Sequence, residues 1–407
     1  MNSRVIYADN NATTRVAPEV VEAMIPFLRD TYFNPSSMYD PAHLAADALA
    51  HARRDIASHF GDIDPKQILI TSCATESNNT AIHGVLKANP ERRHIITTSV
   101  EHPAVLEVCK DLQRSGYEIT FLPVDADGQL DVGDFIRALG PRTALVSIMH
   151  ANNETGVILP IAQLARLTKE TDPSIVFHTD ATQTVGKLPM DLTGDYRHVD
   201  LVSFSGHKFH APKGIGGLFI RRGTRCKPFM VGGHQESGRR AGTENVAFIV
   251  AMAAALNLAY ARHDEDEAHI RRLRDRLEAA MAEKIPYFQI NGRNAERLSN
   301  TSNMSIHFVE GEGMLYQLSS HGICASSGSA CTSGSLEPSH VLRAMKVPFS
   351  AVHGSIRFSF SRYNTDEDID RIIEVFPDIV ANLRRLSPYW DMTGNCPRPE
   401  AGKMVRR

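Results

Sequence analysis

Short apolar runs recur along the first two-thirds of the chain. They lie at Gln67–Thr71, His94–Ser99, Glu118–Leu122, Ala144–Met149, Ile175–His178, Leu201–Phe204 and Gly217–Ile220. Each has strand length, and stretches with helical periodicity fill most of the gaps between them. Strands that alternate with helices predict an α/β fold built on a mainly parallel seven-stranded sheet covered on both faces. The stretch from Val246 to Ala261 is apolar but carries Asn257 and is short for a bilayer, so it predicts a buried helix. From Arg262 to Lys284 the chain is strongly charged, with Ile270, Leu273, Leu277 and Met281 on one face. That pattern predicts an amphipathic helix and a hinge. Shorter strands follow at Ser302–Phe308 and Ser355–Phe360, and a last helix begins near Asp366 with Thr365 as its N-cap. The expected organisation is a large domain over 15–260 and a smaller α+β domain from 1–14 and 261–392. The polar tail, 393–407, carries Pro and Gly and is expected to be disordered.

Composition narrows the functional classes. The chain has 407 residues, 42% of them hydrophobic, enough for two cores. A net charge of −3 gives no electrostatic reason to expect a nucleic acid or an anionic membrane as partner. The first residues contain no apolar core of signal-peptide length. The six cysteines are scattered without zinc spacing, so no metal site is expected. Sparse cysteines in a long chain point to a reducing compartment, the cytoplasm, where a special cysteine is reactive rather than structural.

Chemistry gathers at strand ends, where open α/β sheets bind ligands. Leu201–Phe204 runs into Ser205-Gly206-His207-Lys208, and Ile175–Phe177 runs into His178-Thr179-Asp180-Ala181-Thr182-Gln183. A lysine and an acid so placed suit pyridoxal phosphate: Lys208 holds the aldehyde, and Asp180 keeps the pyridine nitrogen protonated. Cys73-Ala74-Thr75-Glu76 opens a helix after a strand, where free N–H groups suit a phosphate or are simply capped. His102 precedes Pro103 at another helix start and could stack on a ring and move protons. Met149 to Gly156 offers amide side chains, or a turn. Gly232 to Thr243 is glycine-rich and basic; it closes over a phosphate or a neighbouring subunit, or is a surface loop. Lys213-Gly214-Ile215-Gly216-Gly217 only mimics a nucleotide loop, because a strand pattern follows it. In Ala325 to Ser335 small residues flank Cys331 on both sides. No core can form there, so a thiol displayed on a loop is a nucleophile candidate, whereas Cys324 reads as packing. Arg357 alternates with apolar neighbours on a strand, placed to pair a substrate carboxylate or a structural acid.

These residues resemble the cysteine desulfurases of the class-V aminotransferase group over nearly the whole chain. The carrying motifs are Tyr7–Thr14, Thr71–Ser77, Glu101–Val105, Ala151–Gly156, Ser205–Lys208 and Ser327–His340, the last in the long-loop form. His207–Gly214, Gly232–Glu236 and Leu386–Trp390 look like the nitrogen-fixation, or NifS-type, branch. Tyr39 stands where that branch is expected to carry histidine. The resemblance implies the pyridoxal-phosphate-dependent fold type I and a homodimer. It also implies roles: Lys208, His102 and Cys331 catalytic; Ala74, Thr75, Ser205 and His207 on the phosphate, with Thr243 reaching over from the partner subunit; Asp180, Gln183 and Asn153 around the cofactor; Asn153 and Arg357 on the substrate carboxylate. The expected reaction converts L-cysteine to L-alanine and leaves a persulfide on Cys331. An iron–sulfur scaffold or other acceptor protein then takes the sulfur. A housekeeping desulfurase, a selenocysteine lyase, a transaminase and a non-catalytic scaffold are the alternatives. The Cys331 loop argues against a transaminase, and intact Lys208 and Asp180 argue against a scaffold.

Overall fold

The computed structural model describes residues 4–327, 337–391 and 393–399. Its strands are β1 (Ile6–Tyr7), β2 (Ile68–Thr71), β3 (His94–Thr98), β4 (Glu118–Leu122), β5 (Thr143–Ser147), β6 (Val176–Asp180), β7 (Leu201–Ser205), β8 (Gly216–Ile220), β9 (Phe288–Ile290), β10 (Thr301–Ile306), β11 (Ile323–Cys324), β12 (Ser355–Ser359), β13 (Trp390–Asp391) and β14 (Cys396–Pro397). Seven of them form one sheet in the order β2-β8-β7-β6-β5-β3-β4.

The sheet is parallel except at β8, which runs antiparallel to both neighbours. The connection explains this. Only residues 206–215 separate β7 from β8, fewer than a parallel crossover needs. β3, β5, β6 and β7 are buried throughout, as strands covered on both faces must be. β4 is exposed at Glu118 and lies at the edge. Alternation assigns the faces. Leu69, Leu145, Leu201 and Leu218 pack with Ile82 and Val85 of helix Ala74–Ala88. Val202, Phe204 and Phe219 face Ile56, Phe60, Ile249 and Leu256 on the other side. Helix Val246–Ala261 is buried as its composition predicts, and it meets helix His263–Lys284 at a bend of 73°.

A second body surrounds β10, which pairs antiparallel with β9 and β12. Its core joins Leu273, Leu277 and Met281 to Met304, Ile356, Phe358, Ile372 and Phe376. Ile6 and Ala8 belong to the same core, because β1 pairs parallel with β11. Thr365 caps helix Asp366–Leu386 in a reciprocal capping box with Asp368.

Residues 393–399 differ from the expected disorder. β14 turns back onto β13, and the Asp391 carboxylate accepts hydrogen bonds from the Thr393 and Gly394 N–H groups at 3.0 and 3.3 Å. The turn is held because Trp390 is buried beneath the Arg384 guanidinium, 4.3 Å from its ring centre.

Candidate active site

β6 and β7 end side by side, and a cavity of about 340 Å³ opens where they end. β6 continues two residues past its expected end, so Asp180 is its last residue. Asp180 is buried. One carboxylate oxygen accepts from Asn78 Nδ2 at 2.7 Å, the other from the Thr182 N–H at 2.9 Å. After β7 a single 3₁₀ turn, Gly206–Lys208, swings the lysine inward. Its Nζ donates to the carbonyls of Asn11 and Ala12 at 2.6 and 2.8 Å. Gln183 Nε2 donates to the same Asn11 carbonyl at 3.1 Å.

His102 caps helix Pro103–Arg114, and its Nδ1 accepts the Ala104 N–H at 3.1 Å. That bond leaves the proton on Nε2. Burial holds the ring below the usual histidine pKa; Asp180 opposes this, while Lys208 and His340 add to it. A neutral, half-buried ring on the cavity wall is suited to stacking on an aromatic ligand. His207 is also neutral, pushed down to about 4 by burial first and then by Lys208 and Lys213, and it meets Thr13 Oγ1 at 3.1 Å.

The opposite wall comes from distant parts of the chain. Arg357 on β12 is buried, donating from Nη1 to the Asn153 carbonyl at 2.8 Å and from Nη2 to Asp9 at 2.7 Å. The structural acid that was its alternative partner is therefore present. Its Nε, which makes no hydrogen bond among the described residues, remains for another acceptor. Asn11 ties this wall together: its side chain donates to Thr301 Oγ1 and to the Asn153 carbonyl, and accepts from Asn300.

The cavity thus brings together Ala74, Thr75, His102, Asn153, Asp180, Gln183, Ser205, His207, Lys208 and Arg357. Thr243 is exposed and lies outside it. The loop before Thr243 is nevertheless anchored: Glu236 pairs with Arg53 and accepts the Ile70 N–H, and Arg240 grips Glu76. Cys331 falls outside the described residues. Cys324 is half-buried on β11.

Sequence reasoning missed three participants. Asn78 sits one turn into a helix and carries no motif signal beyond its helical spacing from Ala74. Asn11 accepts Gln183 and Lys208 on its backbone carbonyl while its side chain braces the opposite wall. Glu101 is fully buried, accepts from the Met149 N–H and from Thr98 Oγ1, and is pushed up to about 8 by burial.

Residues 6–372 match the family described as aminotransferase class-V. The chain belongs to that family. It is 53% identical over 385 residues to the cysteine desulfurase of Trichormus azollae, covering 95% of each chain. With the cysteine desulfurase NifS of Azotobacter vinelandii it shares 50% over 398 residues, 98% of each. Among solved structures, one of a NifS-like protein superposes with a TM-score of 0.87 at 37% identity, covering 93% of this chain and all of that one. SspA in complex with cysteine gives 0.78 at 35%, covering 88% of this chain and all of SspA. Within the family this chain therefore stands among the NifS-like cysteine desulfurases, which use pyridoxal phosphate.

The cavity fits that cofactor on its own chemistry. Ser205 Oγ is buried with no hydrogen-bond partner among the described residues. It lies beside a helix start whose N-cap, Cys73, supplies no side-chain bond. Unmet donors at a helix N-terminus are what a phosphate takes. Asp180 supplies the buried acid for a pyridine nitrogen, and Lys208 the amine for an aldehyde.

Proposed function

We propose that this enzyme converts L-cysteine to L-alanine and a persulfide on Cys331, and that the sulfur serves iron–sulfur cluster assembly, in particular that of nitrogenase. The observation that carries the chemistry is the convergence of Lys208, Asp180 and His102 on one cavity that Arg357 closes from the opposite side. Bound pyridoxal phosphate supplies an electron sink for the pair left at the substrate carbon. The chain does the rest. Ala74, Thr75, Ser205 and His207 hold the phosphate, and the buried Asp180 carboxylate keeps the ring nitrogen protonated. Arg357 Nε and Asn153 receive the substrate carboxylate. Lys208 Nζ, steered by two backbone carbonyls, removes the α-proton. The Cys331 thiolate then forms a bond to the substrate sulfur as the carbon–sulfur bond breaks. The β-carbon, which takes the electrons of the broken bond, gains a proton, the α-carbon regains the one it lost, and the product leaves as alanine.

The nitrogen-fixation reading is supported by the 50% identity to the Azotobacter vinelandii NifS over almost the full length of both chains. We also propose a homodimer in which Thr243 completes the partner's phosphate site. Its exposed position outside the chain's own cavity supports this, as do the exposed apolar side chains of Met38 (94%) and Val231 (84%). Purified protein given L-cysteine and a thiol reductant should release alanine and sulfide in equal amounts; sulfide without alanine would reject the reaction. Restoration of nitrogenase activity in cells lacking their own nitrogen-fixation desulfurase tests the cellular role. Rescue only of general iron–sulfur enzymes would assign the housekeeping role instead.

A further inference from the structure

Lys187 takes no part in the chemistry above, yet its position is tightly built. It follows Gly186, whose φ of +79° suits glycine and whose N–H donates to the Tyr260 hydroxyl at 3.2 Å. A Cβ at Gly186 would lie 2.6 Å from Phe209 Cβ, so the turn admits no side chain there. The turn delivers Lys187 Nζ to Gln183 Oε1 at 3.1 Å. Burial first, and then the like charges of Lys208 and Arg357, push its amine down to about 7. A lysine held against two cations must be retained by something other than an ion pair.

The amide of Gln183 supplies the reason. Its two ends are chemically distinct: Oε1 only accepts and Nε2 only donates. Here each end has a partner that fixes it. The Asn11 carbonyl can only accept, so Nε2 faces it; the lysine occupies Oε1 on the other side. We infer that Lys187 is a positioning residue for the reaction, holding the Gln183 amide so that its NH₂ group faces the cofactor cavity as a hydrogen-bond donor. Lys187, Gln183, the Asn11 carbonyl and Lys208 thus form one continuous hydrogen-bonded chain. The ligand feature it serves is the anionic ring oxygen beside the aldehyde, so the inference rests on Lys208 being the residue that holds the cofactor.

The test uses pyridoxal phosphate itself, titrated into the apo form of the full-length protein, and reads affinity and visible absorption. Lys187→Met should weaken binding by about three- to tenfold, the worth of one hydrogen bond, and move the absorption maximum of the bound cofactor. Lys187→Arg, which keeps the donor, should restore both. The deciding measurement is a double-mutant cycle. In a Gln183→Ala background, Lys187→Met should have no further effect on affinity or spectrum, because the residue through which it acts is gone. Additive losses, or an unchanged spectrum in Lys187→Met, would overturn the inference. If Lys187→Met folds poorly, Lys187→Gln carries the same cycle, since its amide can accept as well as donate and no longer dictates the orientation. Borohydride fixation followed by peptide mapping separates the two failures. Label on Lys208 with an additive cycle rejects the role of Lys187 alone; label on Lys187 rejects the assignment of Lys208.

Discussion

Asp180 and Lys208 leave neighbouring strands within one turn of each other, and the chemistry proposed for them can be measured separately. Borohydride should fix pyridoxyl onto the peptide that contains Lys208, and Lys208→Ala should abolish turnover. Asp180→Asn should still bind the cofactor, while exchange of the substrate α-proton with deuterated solvent slows on the order of 10²-fold or more, because a preorganised charge has been removed. Unchanged exchange would place the acid elsewhere. These two residues were legible in the sequence because each ends an apolar run, where the direction of a parallel sheet tells which end is functional. Asn78 was not legible. Its bond to Asp180 joins a helix to a strand about a hundred residues away, and nothing local marks it. Asn11 contributes a carbonyl that any residue would carry, so its identity gives no sign of that role.

Elements divide into those that secure the fold and those that carry the reaction. Thr365 belongs to the first group. Thr365→Ala should cost about 1 kcal/mol of stability in urea denaturation and leave turnover unchanged, since the capping box holds only the start of helix Asp366–Leu386. The Cys331 segment is proposed to belong to the second. Cys331→Ser should fold, bind pyridoxal phosphate and accept L-cysteine, with stability within about 0.5 kcal/mol of the parent. It should form no persulfide, because a hydroxyl cannot replace a thiolate as nucleophile toward sulfur. Mass spectrometry after a pulse of L-cysteine should find one extra sulfur on the parent's Cys331 peptide; sulfur on Cys324 instead would reject the assignment. Hydrophobic periodicity located all seven strands of the large sheet to within two residues of their ends. The β13–β14 hairpin escaped it because two-residue strands have no period, and this one depends on Trp390 packing against Phe308, Tyr287 and Arg384.

At the scale of the whole molecule, buried ionisable groups set opposing pH dependences. Burial pushes His150 and His178 down to about 4 from an ordinary 6.5. His178 meets Ser147 Oγ and Ser203 Oγ on its two ring nitrogens, an arrangement a neutral ring satisfies. Between pH 6.5 and 4 the unfolded chain binds more protons at these sites than the folded one, so stability is lost as pH falls through that window. Together they should cost about 2 kcal/mol or more. Glu101 acts oppositely: raised to about 8 from 4.5, it destabilises the fold as pH rises across that span. In Glu101→Gln that opposing slope is removed, so urea denaturation should show a steeper acid loss between pH 6.5 and 4.5 than in the parent; an identical slope would mean Glu101 is ionised in the fold. The walls of the active cavity also span the length of the chain, from Asn11 through Lys208 to Arg357 on β12, with Asn11 bonded to residues from both later regions. A growing polypeptide therefore has its lysine long before it has the enclosure around it. A product of interrupted translation that stops before β12 carries every cavity residue from Asn11 to Lys208 but lacks the arginine wall proposed to hold a cysteine for sulfur release.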